Sequence, residues 1–218
     1  MHPPYCIICF ILLEVTGPFL HGQQNFLPRI YIEAGAGTNL AYFDVGGGSA
    51  GVSIQAGAMY DLDPSWRLGV NVGFHRTRGT DEGTANESRM YAYRSNLNEI
   101  SLRGHYVFRF KLYPVKRWKL HLEPRIWAGL GVIQIQPKPN EVLANNSTDQ
   151  YLPVAPLISG GLGLAFTLDR DISLVLEAGS NLTTSDYLEG YTNHNYSDSR
   201  DMFHSILLKI LYIVPVGW

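Results

Sequence analysis

The chain has 218 residues, a formal net charge of −2 and only 17% charged residues. This length fits one domain, and the near-balanced charge excludes the basic footprint of a nucleic-acid-binding protein. Charged residues fall short of the roughly 25% that is usual in soluble domains. Glycine is abundant with 22 residues, and tyrosine is the commonest aromatic residue with 13. This balance suits a sheet protein whose surface meets something other than water.

The first 22 residues have the features of an export signal. Residues 5–13 (YCIICFILL) form an apolar run that has the length of a signal-peptide core and is too short to cross a bilayer as a helix. Gly22 supplies a small residue at the predicted cleavage position, so we expect a signal peptide over 1–22 and a mature chain over 23–218. Cys6 and Cys9 both lie in this leader, which leaves the mature chain without a disulfide or thiolate ligand.

Eight segments of the mature chain alternate apolar and polar residues with a period of two. In the first, Ile30, Ile32 and Ala34 share one face, and Glu33 and Gly35 share the other. Each segment reaches the roughly 9 to 11 residues that a tilted strand needs to cross a bilayer. The predicted strands span residues 29–43, 51–60, 66–75, 94–110, 118–132, 158–168, 172–181 and 202–213.

The connections between these segments alternate between two lengths. Short turns are predicted at 61–65, 113–117 and 169–171, and longer polar loops at 44–50, 76–93, 134–153 and 184–201. An even number of strands with short turns at one end and long loops at the other is the layout of outer-membrane barrels. The sequence therefore predicts an all-β fold, an eight-stranded antiparallel up-and-down transmembrane β-barrel.

Alternation alone does not decide which face points inward, and a soluble lipocalin-like barrel would enclose a ligand with its apolar face. The interior of an eight-stranded barrel is just wide enough to be filled by side chains. Ten glycines fall on the polar face and leave room there for charges of both signs, which can neutralise one another. The predicted lumen charge network comprises Glu33, Arg67, Glu99, Arg103, Arg109, Glu123, Arg125, Glu177 and Lys209.

The opposite face carries the large apolar residues that contact with outer-membrane lipid requires. Tyr60, Trp66, Trp118 and Tyr212 lie near strand ends, where an aromatic girdle is expected. A lumen plugged by side chains argues against a diffusion pore. We therefore expect the barrel to hold its loops at a surface, with no cofactor.

Two outward residues are candidates for catalysis. Lipid-modifying barrel enzymes place serine and histidine on the outer face near the loop end, and Ser180 and His204 satisfy this parity on neighbouring predicted strands. The nearest acid in the chain, Glu177, has inward parity, so no acid is placed to orient the histidine as a catalytic triad requires. An ordinary rim position is the favoured interpretation.

Metal and phosphate sites are weakly supported by the sequence. His75, His105 and His121 share the lumen face but lie on strands without compact ligand spacing, so hydrogen-bonded lumen histidines are favoured. The loop 193–201 carries many oxygen ligands but no EF-hand pattern, and residues 46–48 (GGG) lack the lysine and helix of a phosphate-binding loop. We expect no metal, cofactor or catalytic residue.

Three short motifs resemble those of a known family. They are residues 94–102 (RSNLNEISL), residues 185–189 (SDYLE) and residues 66–69 (WRLG). With the leader and the strand layout, they resemble the DUF6089-like small outer-membrane barrels of Bacteroidota over nearly the whole mature chain. The final segment departs from the family pattern, because Pro215 interrupts the aromatic-rich strand end.

The resemblance implies a role in protein secretion. One group of this family is the small barrel of the type 9 secretion system, which touches the periplasmic ring of that machine. We expect a non-enzymatic accessory subunit in the bacterial outer membrane, with extracellular loops and periplasmic turns. Two alternatives stay open: a lipid-modifying enzyme that uses Ser180 and His204, and a soluble ligand carrier.

Overall fold

The computed structural model describes residues 27–42, 45, 49–108, 122–146, 153–185, 187–188, 190 and 201–215. Its strands follow one another in chain order around a closed antiparallel barrel, in which the last strand pairs with the first. The strands are β1 Ile30–Tyr42, β2 Ser49–Asp61, β3 Trp66–Thr80, β4 Ala92–Val107, β5 Leu122–Pro139, β6 Val154–Thr167, β7 Ile172–Thr183 and β8 Met202–Val214.

The two faces of the sheet differ as the alternation predicted. Outward residues in the middle of the barrel are apolar and exposed, as in Leu130 at 67% and Leu162 at 64% exposure. Inward residues include charged side chains such as Arg103 and Lys209, each 1% exposed. An apolar exterior around a charged interior reverses the arrangement of a soluble protein. The predicted transmembrane barrel is confirmed, and the lipocalin-like arrangement with an inward apolar face is wrong.

Directly paired residues trace a row around the barrel that does not close on itself. From His204 in β8 the row passes through β7, β6, β5, β4, β3, β2 and β1, and returns to β8 at Val214. The ten-residue offset between His204 and Val214 is the shear of the barrel. Such a shear requires the strands to tilt strongly against the barrel axis, so register partners lie at different heights.

The short turns form where aspartate side chains can bond to the backbone. Between β2 and β3, Asp63 Oδ1 accepts hydrogen bonds from the amides of Ser65 at 2.6 Å and Trp66 at 2.9 Å. Between β6 and β7, Asp169 Oδ1 accepts a hydrogen bond from the amide of Arg170 at 2.7 Å. Both turns lie where the sequence predicts them, because aspartate stabilises tight turns through such local bonds.

The loop-side ends of β3, β4 and β5 extend beyond the strands that alternation predicts. Residues 134–139 continue β5 although the sequence predicts a loop there, and residues 76–80 likewise continue β3. In this part of β5 the faces exchange character: Ile133 and Ile135 point inward, whereas Gln134 and Gln136 are exposed outside. These strand ends extend beyond the lipid, so their outward residues are polar. The alternation with outward apolar residues therefore ends before the strand does.

The described loops contain two short helical segments, a 3₁₀ turn at Glu87–Arg89 and the helix α1 at Glu141–Asn146. The buried carboxylate of Asp81 anchors the first loop by accepting from Arg89 Nε at 2.9 Å and Nη2 at 3.2 Å. Neither described helix has the length and apolar character that a membrane-spanning helix needs.

Several predicted features lie outside the described residues and stay predictions. They are the signal peptide 1–22, the loop residues 46–48, Arg109, the turn at 113–117, Trp118, His121 and residues 193–200 of the last long loop.

The opposite orientations of two tryptophans test the assignment of inside and outside. Trp66 faces outward with 44% exposure, and Trp127 faces the lumen with 6% exposure. In vesicles of phospholipids brominated near the headgroup, we expect strong quenching of a variant that keeps only Trp66. A matched variant that keeps only Trp127 is expected to be quenched weakly. Equal quenching of the two folded variants would contradict the orientation.

Candidate functional site

Six charged side chains meet near the middle of the lumen, and Glu177 is their hub. Its carboxylate contacts Lys209 Nζ at 2.6 Å through Oε1, Arg125 Nη2 at 2.8 Å through Oε2, and Arg103 Nη1 at 3.4 Å through Oε1. The other two acids are Glu33 and Glu99, so three carboxylates meet three cations. Because the set is neutral and each charge has a partner, it can be buried without an isolated charge in a low dielectric.

The remaining two acids complete the pairing. Glu33 contacts Arg125 Nη2 at 3.0 Å and Lys209 Nζ at 2.9 Å. Glu99 Oε1 accepts from Arg103 Nη2 at 2.8 Å. The six groups come from strands β1, β4, β5, β7 and β8, so the network ties together strands that are not neighbours in the sheet.

Neighbouring residues shape the space around the two arginines. The guanidinium of Arg103 lies 4.2 Å from the ring centre of Trp127, and Arg103 Nη1 donates to Gln55 Oε1 at 3.2 Å. Arg125 lies across Gly163, where an added Cβ would stand 2.8 Å from Arg125 Nε. A side chain at position 163 would therefore compete with the arginine for the same space.

A second, smaller cluster occupies the turn-side end of the lumen. Arg67 Nε contacts Asp61 Oδ1 at 3.0 Å, and Arg67 Nη2 lies 3.6 Å from Glu123 Oε2. Tyr31 donates to Asp61 Oδ2 at 2.9 Å, and its ring lies under the Arg67 guanidinium. Sequence reasoning missed Asp61, which it assigned to the turn. Inward parity at the last residue of β2 would have identified it.

Apolar side chains fill the lumen on both sides of the central network, which the alternation did not predict. On the turn side they are Tyr31, Met59, Ala165, Val175 and Leu211. On the loop side they are Ala41, Leu97, Ile133, Ile135, Ala155, Leu157, Leu188 and Phe203, all at most 4% exposed. Buried side chains therefore fill the described part of the lumen on both sides of the central network, and a cavity of about 330 Å³ remains at the turn-side end beside Tyr31 and Arg67.

A serine, a histidine and an acid form a hydrogen-bonded chain inside the lumen. Ser53 Oγ lies 2.7 Å from His75 Nδ1, and His75 Nε2 lies 3.1 Å from Glu99 Oε2. This is the connectivity of a Ser-His-acid triad. However, Ser53 and His75 are fully buried, and the ring of Phe203 packs 4.9 Å from the His75 ring. Ser53 is therefore shielded from solvent in the described structure, and the hydrogen-bond relay links side chains of β2, β3 and β4.

A second serine and histidine meet on the outside of the barrel. Ser180 and His204 are direct register partners on β7 and β8, and Ser180 Oγ lies 2.7 Å from His204 Nδ1. Ser180 is exposed, and both side chains face the lipid near the loop-side edge of the apolar belt. Glu177 points into the lumen and belongs to the central network. This outer pair has access to lipid, and the relay in the lumen ends on the carboxylate of Glu99.

The other histidine candidates do not form a ligand set in the described structure. His75 belongs to the relay, and His105 lies in the lumen with its ring centre 6.4 Å from that of Trp127. Within the described ranges, no three histidine, cysteine, aspartate or glutamate residues come together in a way that could hold a metal ion.

Comparison with known proteins identifies the fold and not a family. No family model matches the sequence, and no curated protein matches it. The structure is similar to the crystal structure of Neisserial surface protein A, with a TM-score of 0.57 and 13% identity over 84% of this chain and 96% of that chain.

Two further solved barrels are similar at lower scores. The attachment invasion locus protein Ail of Yersinia pestis has a TM-score of 0.42 and 16% identity over 87% of this chain and 100% of that chain. The outer membrane enzyme PagL has a TM-score of 0.43 and 18% identity over 85% of this chain and 99% of that chain. The similarity to Neisserial surface protein A shows that this chain has the fold of eight-stranded outer-membrane barrels.

The hub position of Glu177 predicts a large loss of stability when its charge is removed. Glu177→Gln leaves Arg103, Arg125 and Lys209 buried with too few anions, and breaking a buried pair in this way costs on the order of 3–5 kcal/mol. We expect this decrease in the free energy of unfolding in urea, measured with the barrel in lipid vesicles.

Glu123→Gln is the matched control for this experiment. Glu123 is 35% exposed and lies 3.6 Å from Arg67 at the turn-side end, so its loss is expected to cost at most about 1 kcal/mol. Equal effects of the two substitutions would contradict the central role of Glu177.

Proposed function

We propose that the protein is a non-enzymatic integral barrel of the bacterial outer membrane that serves as a structural or accessory subunit of a secretion or assembly complex. The observation that supports this role is the lumen, whose centre is filled by buried charged and apolar side chains, so that the rims of the barrel are the surfaces left for a protein partner. The apolar belt supports placement in lipid. The closed sheet supports it as well, because no strand edge is left there without backbone hydrogen bonds.

The resemblance of residues 66–69, 94–102 and 185–189 to small Bacteroidota barrels supports the type 9 secretion version of this proposal. In that arrangement the long loops lie outside the cell and the short turns face the periplasm. The partner would then contact the turn-side rim, where Asp63 and Asp169 hold tight turns.

Site-specific photo-crosslinking tests which rim contacts a partner. We expect a photoreactive amino acid at the exposed turn-side positions Pro64 and Arg170 to capture a discrete protein in intact cells. The matched positions Glu82 and Glu87 are exposed on the loop side and are expected to give no such adduct. Adducts are identified by gel shift and mass spectrometry.

The complex-subunit proposal also predicts recovery of that partner from gently solubilised membranes. Absence of adducts at both rims, together with recovery of the chain alone in every detergent, would remove the proposal. Adducts from the loop side alone would contradict contact through the periplasmic turns.

A second candidate function, lipid ester hydrolysis, is favoured by the contact between Ser180 Oγ and His204 Nδ1. In this reaction Ser180 Oγ would attack the ester carbonyl carbon while His204 takes the hydroxyl proton and returns it to the departing alkoxide. Water would then cleave the acyl-serine, which releases a fatty acid and restores the serine. The pair lies on the outward face of the barrel, where a membrane lipid could reach it.

Serine removal distinguishes this candidate from the structural role. If the pair is catalytic, Ser180→Ala lowers fatty-acid release from membrane lipids by at least about a thousandfold, as for other serine nucleophiles. Thr38→Ala, which removes an outward hydroxyl from β1, is the matched control and is expected to change nothing. Unchanged lipid profiles by mass spectrometry in both Ser180→Ala and His204→Ala would exclude the activity.

A further inference from the structure

The outer face of the barrel changes from apolar to basic at the loop-side end of β3, β4 and β5. Phe74, Ile100 and Val132 are outward apolar residues in the last part of the belt on these strands. Farther along the same faces, every charged outward residue of the three strands is a cation. These cations are Arg76, Arg78, Arg94 and Lys138, and all four are exposed.

Three of these cations are direct register partners. Arg78 on β3 pairs with Arg94 on β4, and Arg94 pairs in turn with Lys138 on β5. Like charges that face each other across neighbouring strands destabilise a sheet. An anion that bridges the row would remove this repulsion. Cations held side by side therefore favour the binding of an anion more than the same cations would if they were far apart.

Two of the three cations have no acidic partner among the described residues. No described carboxylate makes an ion pair with Arg94 or Lys138. Asp81, which lies on the same side of the barrel, is engaged by Arg89. The three cations instead line a groove of about 610 Å³, together with Thr80, Tyr93 and Asn140.

We propose that this basic row, Arg78, Arg94 and Lys138, binds the phosphate groups of a glycolipid headgroup in the membrane leaflet on the loop side. The proposal rests on the placement of the barrel in the outer membrane and goes beyond its role in a complex. Headgroup phosphate is favoured over a soluble anion because the row lies on the same outward strand faces as the apolar belt, and the outward residues between the two are polar and carry no negative charge. A lipid can therefore place its acyl chains beside Phe74, Ile100 and Val132 while its phosphates reach the cations.

The test uses the full chain in mixed micelles, with native mass spectrometry to count bound lipid. The probe is bisphosphorylated lipid A, and the comparison ligand is the same acylated disaccharide without phosphates. We expect Arg94→Gln combined with Lys138→Gln to weaken retention of the probe on the order of thirtyfold, because two cations near a lipid surface are removed. Raising the salt concentration is expected to weaken binding to the wild-type chain.

Arg29→Gln combined with Arg170→Gln is the matched control, since it removes two exposed arginines from the turn side. It is expected to retain the probe like the wild type, and both double variants are expected to keep the heat-dependent gel mobility of a folded barrel. Equal retention by the two double variants would overturn the proposal. Equal binding of the dephosphorylated lipid, or displacement of the probe by an equal concentration of inorganic phosphate, would overturn it as well.

Discussion

Closure of the sheet between β1 and β8 is the constraint on which the rest of the structure depends. A hydrocarbon environment offers no hydrogen-bond partner for the backbone, so an open sheet edge there would leave a whole strand of polar groups unpaired. The register from Ile30 with Val214 to Tyr42 with Met202 meets this demand along the full length of β1. Once the ring is closed, each side chain in the membrane-spanning part of a strand faces either the lipid or the lumen.

The lumen combines two ways of filling a narrow interior. Charged groups gather in the middle around Glu177, and apolar groups pack on either side of them around Val175 and Phe203. Burial strengthens the attraction within the ion pairs, and the pairs compensate for the loss of hydration. A buried neutral network of this kind links five strands by side chains in addition to the backbone ladder. It makes the barrel a rigid support for its rims.

The sequence predicted the number and order of the strands and the face on which each side chain lies. It could do so because the pleat of a strand imposes a period of two on its side chains. It failed where two environments exchange along one strand. Beyond the belt, Gln134 and Gln136 face water, and Ile133 is buried in the lumen. The last outward apolar residue therefore marked the end of the lipid contact and not the end of β5. The outward faces of Ser180 and His204 followed from parity. Their contact and the relay from Ser53 to Glu99 did not, since both depend on the register between separate strands.

The ten-residue shear has a consequence for the geometry of recognition. Because the row of paired residues from His204 descends toward the turns as it runs from β8 to β1, any such row climbs toward the loops from β3 to β5. The three cations of the basic row therefore lie at increasing distances from the hydrocarbon, in the order Arg78, Arg94 and Lys138. Phosphates at a single depth cannot contact all three cations equally, whereas a headgroup that carries phosphates at more than one depth can. Strand tilt thus sets the range of heights above the hydrocarbon at which the basic row can contact a ligand.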